Sequence, residues 1–297
     1  MIESLRRPPD VPATLTWAPD IHVRYVEIDG SRLRYVVTGG GPPVVLLHSL
    51  RTQLDMFHRV VPELAGKFRV YALDLPGHGF SDIPGAEYTP DLFIHFVSAF
   101  LDTLDIKDAI LAGESIGGTI ALVQAARHNP RIRAVVAVNP YDYDAGRGIR
   151  RSSALANVIF GANDIPVLGA TVTRLRQHAI VRRILQGGVV ERDSLPAWLE
   201  TEMYEVGNRR GHYEALMSLV HHLPAWERAR EEYANISCPV VLLYGDQDWS
   251  RPDEREAERL LIRGSSFTVL PRAGHFLSLD APRSFADAVL RADEVSR

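Results

Sequence analysis

Ala109-Ile110-Leu111-Ala112-Gly113-Glu114-Ser115-Ile116-Gly117-Gly118-Thr119-Ile120-Ala121-Leu122 is the stretch whose reading decides the fold. An apolar run of strand length ends in Gly113-Glu114-Ser115-Ile116-Gly117. A helical pattern follows at once, with Ile116, Ile120 and Val123 on one face. Strand, G-x-S-x-G and helix in that order form the setting of a nucleophile elbow. The turn is so tight that side chains two positions either side of the serine would collide, which calls for Gly113 and Gly117. It lifts the hydroxyl of Ser115 clear of the backbone. It also leaves the amide of Ile116 at a helix N-terminus, where a developing negative charge is stabilised.

Around that stretch, 297 residues suit one large domain or a domain carrying an insertion. With 46% hydrophobic and 24% charged residues the chain can bury a full core. A net charge of -4 and the lack of a basic stripe argue against nucleic acid as a partner. The lone Cys238 excludes an internal disulfide and any cysteine-based metal site. The first twenty residues have arginines and prolines but no apolar h-region, and no run of about 18 apolar residues occurs anywhere. These features lead us to expect no membrane partner and a cytoplasmic setting. A homo-oligomer is compatible with the sequence.

In chain order, residues 1–20 read as an extended lead-in. Ile21–Ile28 and Arg32–Val37 alternate as strands about the turn Asp29-Gly30. Short, continuously apolar runs at Pro43–His48 and Phe68–Asp74, then Ile132–Val138, Pro239–Gly245 and Phe267–Leu270, read as strands buried on both faces. Helical patterns at Phe57–Gly66, Asp91–Leu104, Asp253–Ile262 and Ser284–Val295 alternate with them. Between about Pro140 and Asn235 no strand is evident. Ala154–Phe160, Val172–Leu185, Leu195–Val206 and Tyr213–Leu223 have helical spacing there. The expected fold is therefore α/β: an open, mostly parallel sheet with an N-terminal antiparallel hairpin, helices on both faces and a helical cap. The core would take 21–139 and 236–297, and the cap 140–235.

A serine needs a base, and the base needs an orienting acid. In an open parallel sheet such groups gather just beyond the carboxyl ends of strands. His275, in Arg272-Ala273-Gly274-His275-Phe276, follows the last strand; the other histidines fall in the first strand, in helices, in the cap or in turns. For the acid, Asp246, Asp248 and Asp142 compete. Asp248 is favoured because it reaches further past its strand, while Asp246 is suited to capping the turn.

The order Ser115, Asp248, His275 resembles the α/β-hydrolase family over roughly 21–139 and 236–295. His48-Ser49-Leu50 is similar to the family's His-Gly-x turn, departing from it at Ser49. Asp74-Leu75-Pro76-Gly77-His78-Gly79-Phe80-Ser81 resembles its D-x-x-G-x-G-x-S loop. Gly245-Asp246-Gln247-Asp248 resembles its acid loop, and Gly274-His275 its terminal Gly-His. The resemblance implies an oxyanion hole made by the backbone amides of Leu50 and Ile116.

Hydrolysis of a carboxylic ester or lactone through an acyl-enzyme is the expected chemistry, on a small ester-like molecule. Dehalogenases and epoxide hydrolases of the family use an aspartate where Ser115 stands. Carbon–carbon hydrolases, cofactor-free perhydrolases and acyltransferases share the Ser/Asp/His set and stay open, as does a non-catalytic ligand-binding member. Trp249 and Phe276, beside the acid and the base, and Tyr141 and Tyr143 are candidate substrate contacts. Trp198, Tyr204 and Trp226 could equally face substrate or join cap helices to one another. Glu114 could contact substrate or bond a neighbouring loop. No sequence feature implies a metal, nucleotide or flavin cofactor.

Overall fold

A computed structural model describes residues 13–162 and 178–297 of the chain. Ten strands run in chain order: β1 (Thr14–Leu15), β2 (Ala18–His22), β3 (Arg24–Ile28), β4 (Ser31–Thr38), β5 (Pro43–Leu47), β6 (Arg69–Leu73), β7 (Ala109–Glu114), β8 (Ile132–Val138), β9 (Val240–Gly245) and β10 (Ser266–Leu270). Eight of them make one sheet in the order β10-β9-β8-β7-β5-β6-β4-β3. From β10 to β6 every neighbouring pair is parallel, and β4 and β3 add an antiparallel edge.

Why the central strands read as unbroken apolar runs follows from the two faces they serve. Val44 and Leu46 of β5 belong to one core with Ile110, Ala112, Ala134 and Val136. Val45 and Leu47 point the other way and join Leu111 and Val135. A strand alternates its side chains, so one covered by helices on both sides has no position left for a polar residue. Helices Val60–Leu64 and Pro282–Val295 pack into the first core through Val60, Val61, Phe285 and Val289. Helices Pro90–Thr103 and Ile116–Ala126 pack into the second through Phe93, Val97, Ile116 and Ile120.

The lead-in departs from expectation at its end. Thr14–Leu15 and Ala18–His22 pair with each other in a separate antiparallel sheet, so the first expected strand is divided between β2 and β3. Trp17 ties this small sheet down, its indole N–H donating to Asp55 at 2.8 Å.

Between β8 and β9 the described residues contain no strand. They form helices at Ala154–Ala162, His178–Gln186, Ala197–Val206, His212–His221 and Leu223–Arg228. Residues 172–177 of the expected Val172–Leu185 helix lie outside the described residues. No helix among the described residues is long and apolar enough to cross a membrane.

Because β5, β7, β8, β9 and β10 are parallel, their carboxyl ends share one edge of the sheet. The register places Leu47 beside Gly113, Glu114 beside Val138, and Gly245 beside Leu270. Residues 48–51, 115, 139–142, 246–250 and 272–276 therefore leave the sheet together.

Candidate active site

Ser115 sits between β7 and the helix Ile116–Ala126 with φ 60° and ψ -124°. A non-glycine residue in that region is strained by on the order of 1–3 kcal/mol and persists only where its surroundings enforce it. Here they do. The amide of Ser115 donates to the Val138 carbonyl at 2.9 Å, and its carbonyl accepts from Thr119 and Tyr141 at 3.1 and 3.3 Å. A Cβ at Gly113 would come within 2.1 Å of the Gly117 backbone, and one at Gly117 within 2.2 Å of the Leu47 carbonyl oxygen. Those contacts are the reason the motif needs both glycines.

His275 Nε2 lies 2.9 Å from Ser115 Oγ, and its Nδ1 lies 2.5 Å from Asp248 Oδ1. All three side chains are buried. With Nδ1–H donating to the carboxylate, Nε2 is free to accept from the serine hydroxyl. The other carboxylate oxygen, Oδ2, accepts from the Ser250 amide at 2.9 Å and from the Ser250 hydroxyl. Arg255 in turn donates to the Ser250 hydroxyl at 2.8 Å and to its carbonyl at 2.6 Å. Burial pushes the Asp248 carboxyl up; His275 and the hydrogen bonds from Ser250 outweigh it and hold the group below the usual carboxylate range. Asp248 is thereby kept ionised.

The rival acids have other duties. Asp246 is exposed, and its Oδ1 accepts from the Ala273 amide at 3.3 Å, capping the turn as expected. Asp142 is buried, accepts from the Tyr233 hydroxyl at 2.5 Å, and is pushed up by burial.

Of the two expected oxyanion donors, Ile116 is the first residue of its helix, where an amide has no carbonyl one turn back. Leu50 lines the cavity into which Ser115 opens. The carbonyl of Ser49 accepts from His48 Nδ1 at 2.7 Å, from the Thr52 hydroxyl at 2.8 Å and from the Thr52 amide at 3.3 Å. The peptide is planar and trans, so fixing that carbonyl aims the amide of Leu50 the opposite way. Serine is accommodated at 49 because its backbone is not left-handed; the positive φ of this turn, 60°, falls on Arg51.

His48 is a brace. Its Nε2 accepts from the Leu75 amide at 2.9 Å, and burial brings its imidazole down to about 4, so the ring is neutral. His78 is likewise brought down to about 3 by burial and bonds the Pro76 carbonyl at 3.0 Å. Asp74 opens the glycine-rich loop and holds it. It accepts from Arg34 Nε at 2.6 Å and from the amides of Leu54 and Phe80 at 2.8 and 2.7 Å.

The expected apolar walls are placed at the site. Trp249 stacks face to face on His275, with ring centres 3.7 Å apart and planes 11° apart. Phe276 packs edge-on to the same ring, and both aromatics line the cavity with Tyr141. Val181, Ile184, Leu185 and Met203 close it from the inserted segment, leaving a cavity of about 40 Å³. Tyr143 does not line this cavity. Its ring lies beneath Gly148, where a Cβ would come within 2.6 Å, and Arg151 stands 5.7 Å above it. Expected to face substrate, it packs edge-on behind Tyr141, with ring centres 5.5 Å apart. Trp198 packs on His58, Tyr204 on His178 and Trp226 on Phe93, so these three join elements together.

Two residues of the site, Asn139 and Arg51, carried no recognisable signal in the sequence, and a third, Glu114, was left open between substrate and a neighbouring loop. Asn139, at the end of β8, donates to the carbonyls of Gly274 and His275, both at 2.9 Å, and accepts from the Gly245 amide at 3.0 Å. One side chain thus ties the loop of the base to the strand that carries the acid. Glu114 bonds a neighbouring segment: it accepts from the amide and hydroxyl of Ser278 at 2.9 and 2.8 Å, and burial pushes its carboxyl up to about 8. Arg51 lines the cavity with Ser115.

A family model described as the α/β hydrolase fold matches residues 42–282. The chain is 28% identical over 274 residues to haloalkane dehalogenase 2 of Mycobacterium tuberculosis, covering 90% of this chain and 93% of that one. It is 25% identical over 272 residues to 2-hydroxy-6-oxo-6-(2'-aminophenyl)hexa-2,4-dienoic acid hydrolase of Metapseudomonas resinovorans, covering 90% and 89%. The solved enol-lactonase from Burkholderia xenovorans LB400 is similar in fold, with a TM-score of 0.74 at 24% identity over 91% of this chain and 100% of that one.

Proposed function

The chain belongs to the α/β-hydrolase fold family and is a hydrolase of that fold, and from that premise we propose that it opens a carboxylic ester or lactone through an acyl-enzyme on Ser115. The observation that carries this reading is the unbroken chain from Asp248 through His275 to Ser115, at 2.5 and 2.9 Å.

Ser115 attacks the acyl carbon while His275 takes its proton, and Asp248 holds the imidazole in the required tautomer. The amides of Leu50 and Ile116 receive the oxyanion, a donor of that kind being worth about 3–4 kcal/mol in the transition state. His275 then gives its proton to the leaving alcohol. Water, deprotonated by the same ring, attacks the acyl-enzyme and releases the acid.

Similarity to a dehalogenase does not bring its chemistry across. A serine that displaced halide from an sp³ carbon would be left as an ether, which water does not cleave here. A carboxylate nucleophile leaves an ester, which can turn over. Ser115 is therefore matched to an acyl carbon. A second reading, carbon–carbon hydrolysis on the same three residues, draws on the similarity to the dienoic acid hydrolase.

Ser115→Ala should lower turnover of 4-nitrophenyl acetate by about 10⁵-fold or more, and a fluorophosphonate should label the wild type at one equivalent. Activity retained within a hundredfold would remove Ser115 from the mechanism. A vinylogous diketone acid cleaved faster than every ester would favour the second reading.

A further inference from the structure

We propose that Arg51 receives a carboxylate of the substrate, so that the esters or lactones this protein is built for carry an acid group besides the bond that is cleaved. The inference rests on the reading of Ser115 as nucleophile and names the substrate class of that site.

Arg51 follows Leu50 in the turn after β5 and lines the same cavity as Ser115, Leu50 and Phe276. No aspartate or glutamate among the described residues lines that cavity. Every other arginine held inside the core or beneath the inserted segment has an oxygen to meet. Arg34 has Asp74 and Asp55, Arg151 has Asp144 and Glu254, Arg230 has Asp142, and Arg255 has Ser250. Arg51 has no hydrogen-bond or ion-pair partner among the described residues. Its guanidinium is brought down to about 10 by burial, with no neighbouring charge acting on it. It is a cation at neutral pH all the same, half-buried at the cavity wall, and the described residues set no carboxylate beside it.

Arg51 holds φ at 60°, and this fixes the course of the turn from which its side chain leaves. The five donors of a guanidinium form a planar fork that matches the two oxygens of a carboxylate. With Leu50 supplying an oxyanion amide and Arg51 next in sequence, one turn would bind both the reacting carbonyl and a fixed negative charge. The aliphatic wall of Val181, Ile184 and Met203 takes the apolar remainder.

Two matched pairs of esters test this. In mono-4-nitrophenyl adipate against 4-nitrophenyl hexanoate the charge is on the acyl side. In 4-acetoxybenzoate against its methyl ester it is on the leaving group. The wild type should prefer the charged member of at least one pair by about 10- to 100-fold in kcat/KM, mainly through KM. Arg51→Gln should bring that ratio down toward one, and Arg51→Lys should restore part of it. Each ratio is taken within one preparation, so a variant that folds poorly leaves it unmoved. Equal ratios in wild type and Arg51→Gln overturn the proposal. So does a wild-type ratio below about three in both pairs, which needs no variant at all. Turnover of neither member of either pair overturns the ester reading, and this proposal with it.

Discussion

The exits of β8 and β9 each place a buried aspartate a few residues past a strand end, and the two acids have opposite fates. Beyond β9, Asp248 meets His275 on one oxygen and Ser250 on the other, and these partners keep it ionised against burial. Beyond β8, Asp142 meets the Tyr233 hydroxyl, with Arg230 3.8 Å away. Burial prevails there and pushes its carboxyl up, as it does for its neighbour Glu258, to which the Tyr244 hydroxyl donates at 2.6 Å. Placement at the sheet edge makes an acid a candidate, and its hydrogen-bond partners decide its work. Asp248 orients an imidazole; Asp142, pushed up by burial, braces a loop through the Tyr233 hydroxyl.

The sharpest way to break this contrast is to neutralise each acid in turn. Asp248→Asn should lower kcat on 4-nitrophenyl acetate by about 10⁴-fold through the wrong imidazole tautomer. Asp142→Asn, which keeps an oxygen for Tyr233, should stay within about tenfold. Comparable losses from both would erase the distinction.

Next in size is Asn139, the side chain that joins the two exits. Asn139→Ala should lower kcat/KM by about 10²-fold through misplacement of the base. It should also destabilise the fold by about 1–3 kcal/mol for each buried backbone group left unpaired. Activity and denaturant unfolding measured on the same samples decide the matter. If the activity lost merely follows the fraction unfolded, Asn139 does not position the base.

The smallest effect sharpens the comparison at a third exit, that of β7. Glu114 has its carboxyl raised to about 8 from an ordinary 4.5. Between those pH values the folded chain retains a proton that the unfolded chain releases. The stabilisation is complete below about 4.5 and is lost as pH rises through about 8, with a slope of at most about 1.4 kcal/mol per pH unit. Glu114→Gln stays neutral throughout, so its Tm should fall less between pH 5 and 9 than that of the wild type. Parallel Tm curves would show that Glu114 is already ionised.

How much of this could be read from the sequence depends on how local each signal is. The elbow was legible because Gly113, Ser115 and Gly117 lie within five residues and their collisions depend on one turn. His275 was legible because it directly follows a glycine past the last strand, whereas His78, also on a glycine-bearing loop past a parallel strand, lies in a Pro-Gly-His-Gly turn. Asp248 could be ranked above Asp142 only by its reach past the strand, whereas the reason it is ionised lies in Ser250 and His275. The positions of Tyr141 and Tyr143 are two apart in sequence, yet only one meets the cavity, since no periodic element fixes their directions. Arg51 was silent because its distinguishing property is that no partner meets it among the described residues, and that depends on the chain segments around it. Asn139 lies more than a hundred residues from the segments it bonds, which local pattern does not record.

The indole of Trp249 lies flat against His275 at 3.7 Å. Imidazolium quenches indole emission on contact far more strongly than neutral imidazole does. The base of this site therefore has its own optical reporter, and each proton it gains or releases during turnover would be written in the light emitted by its neighbour.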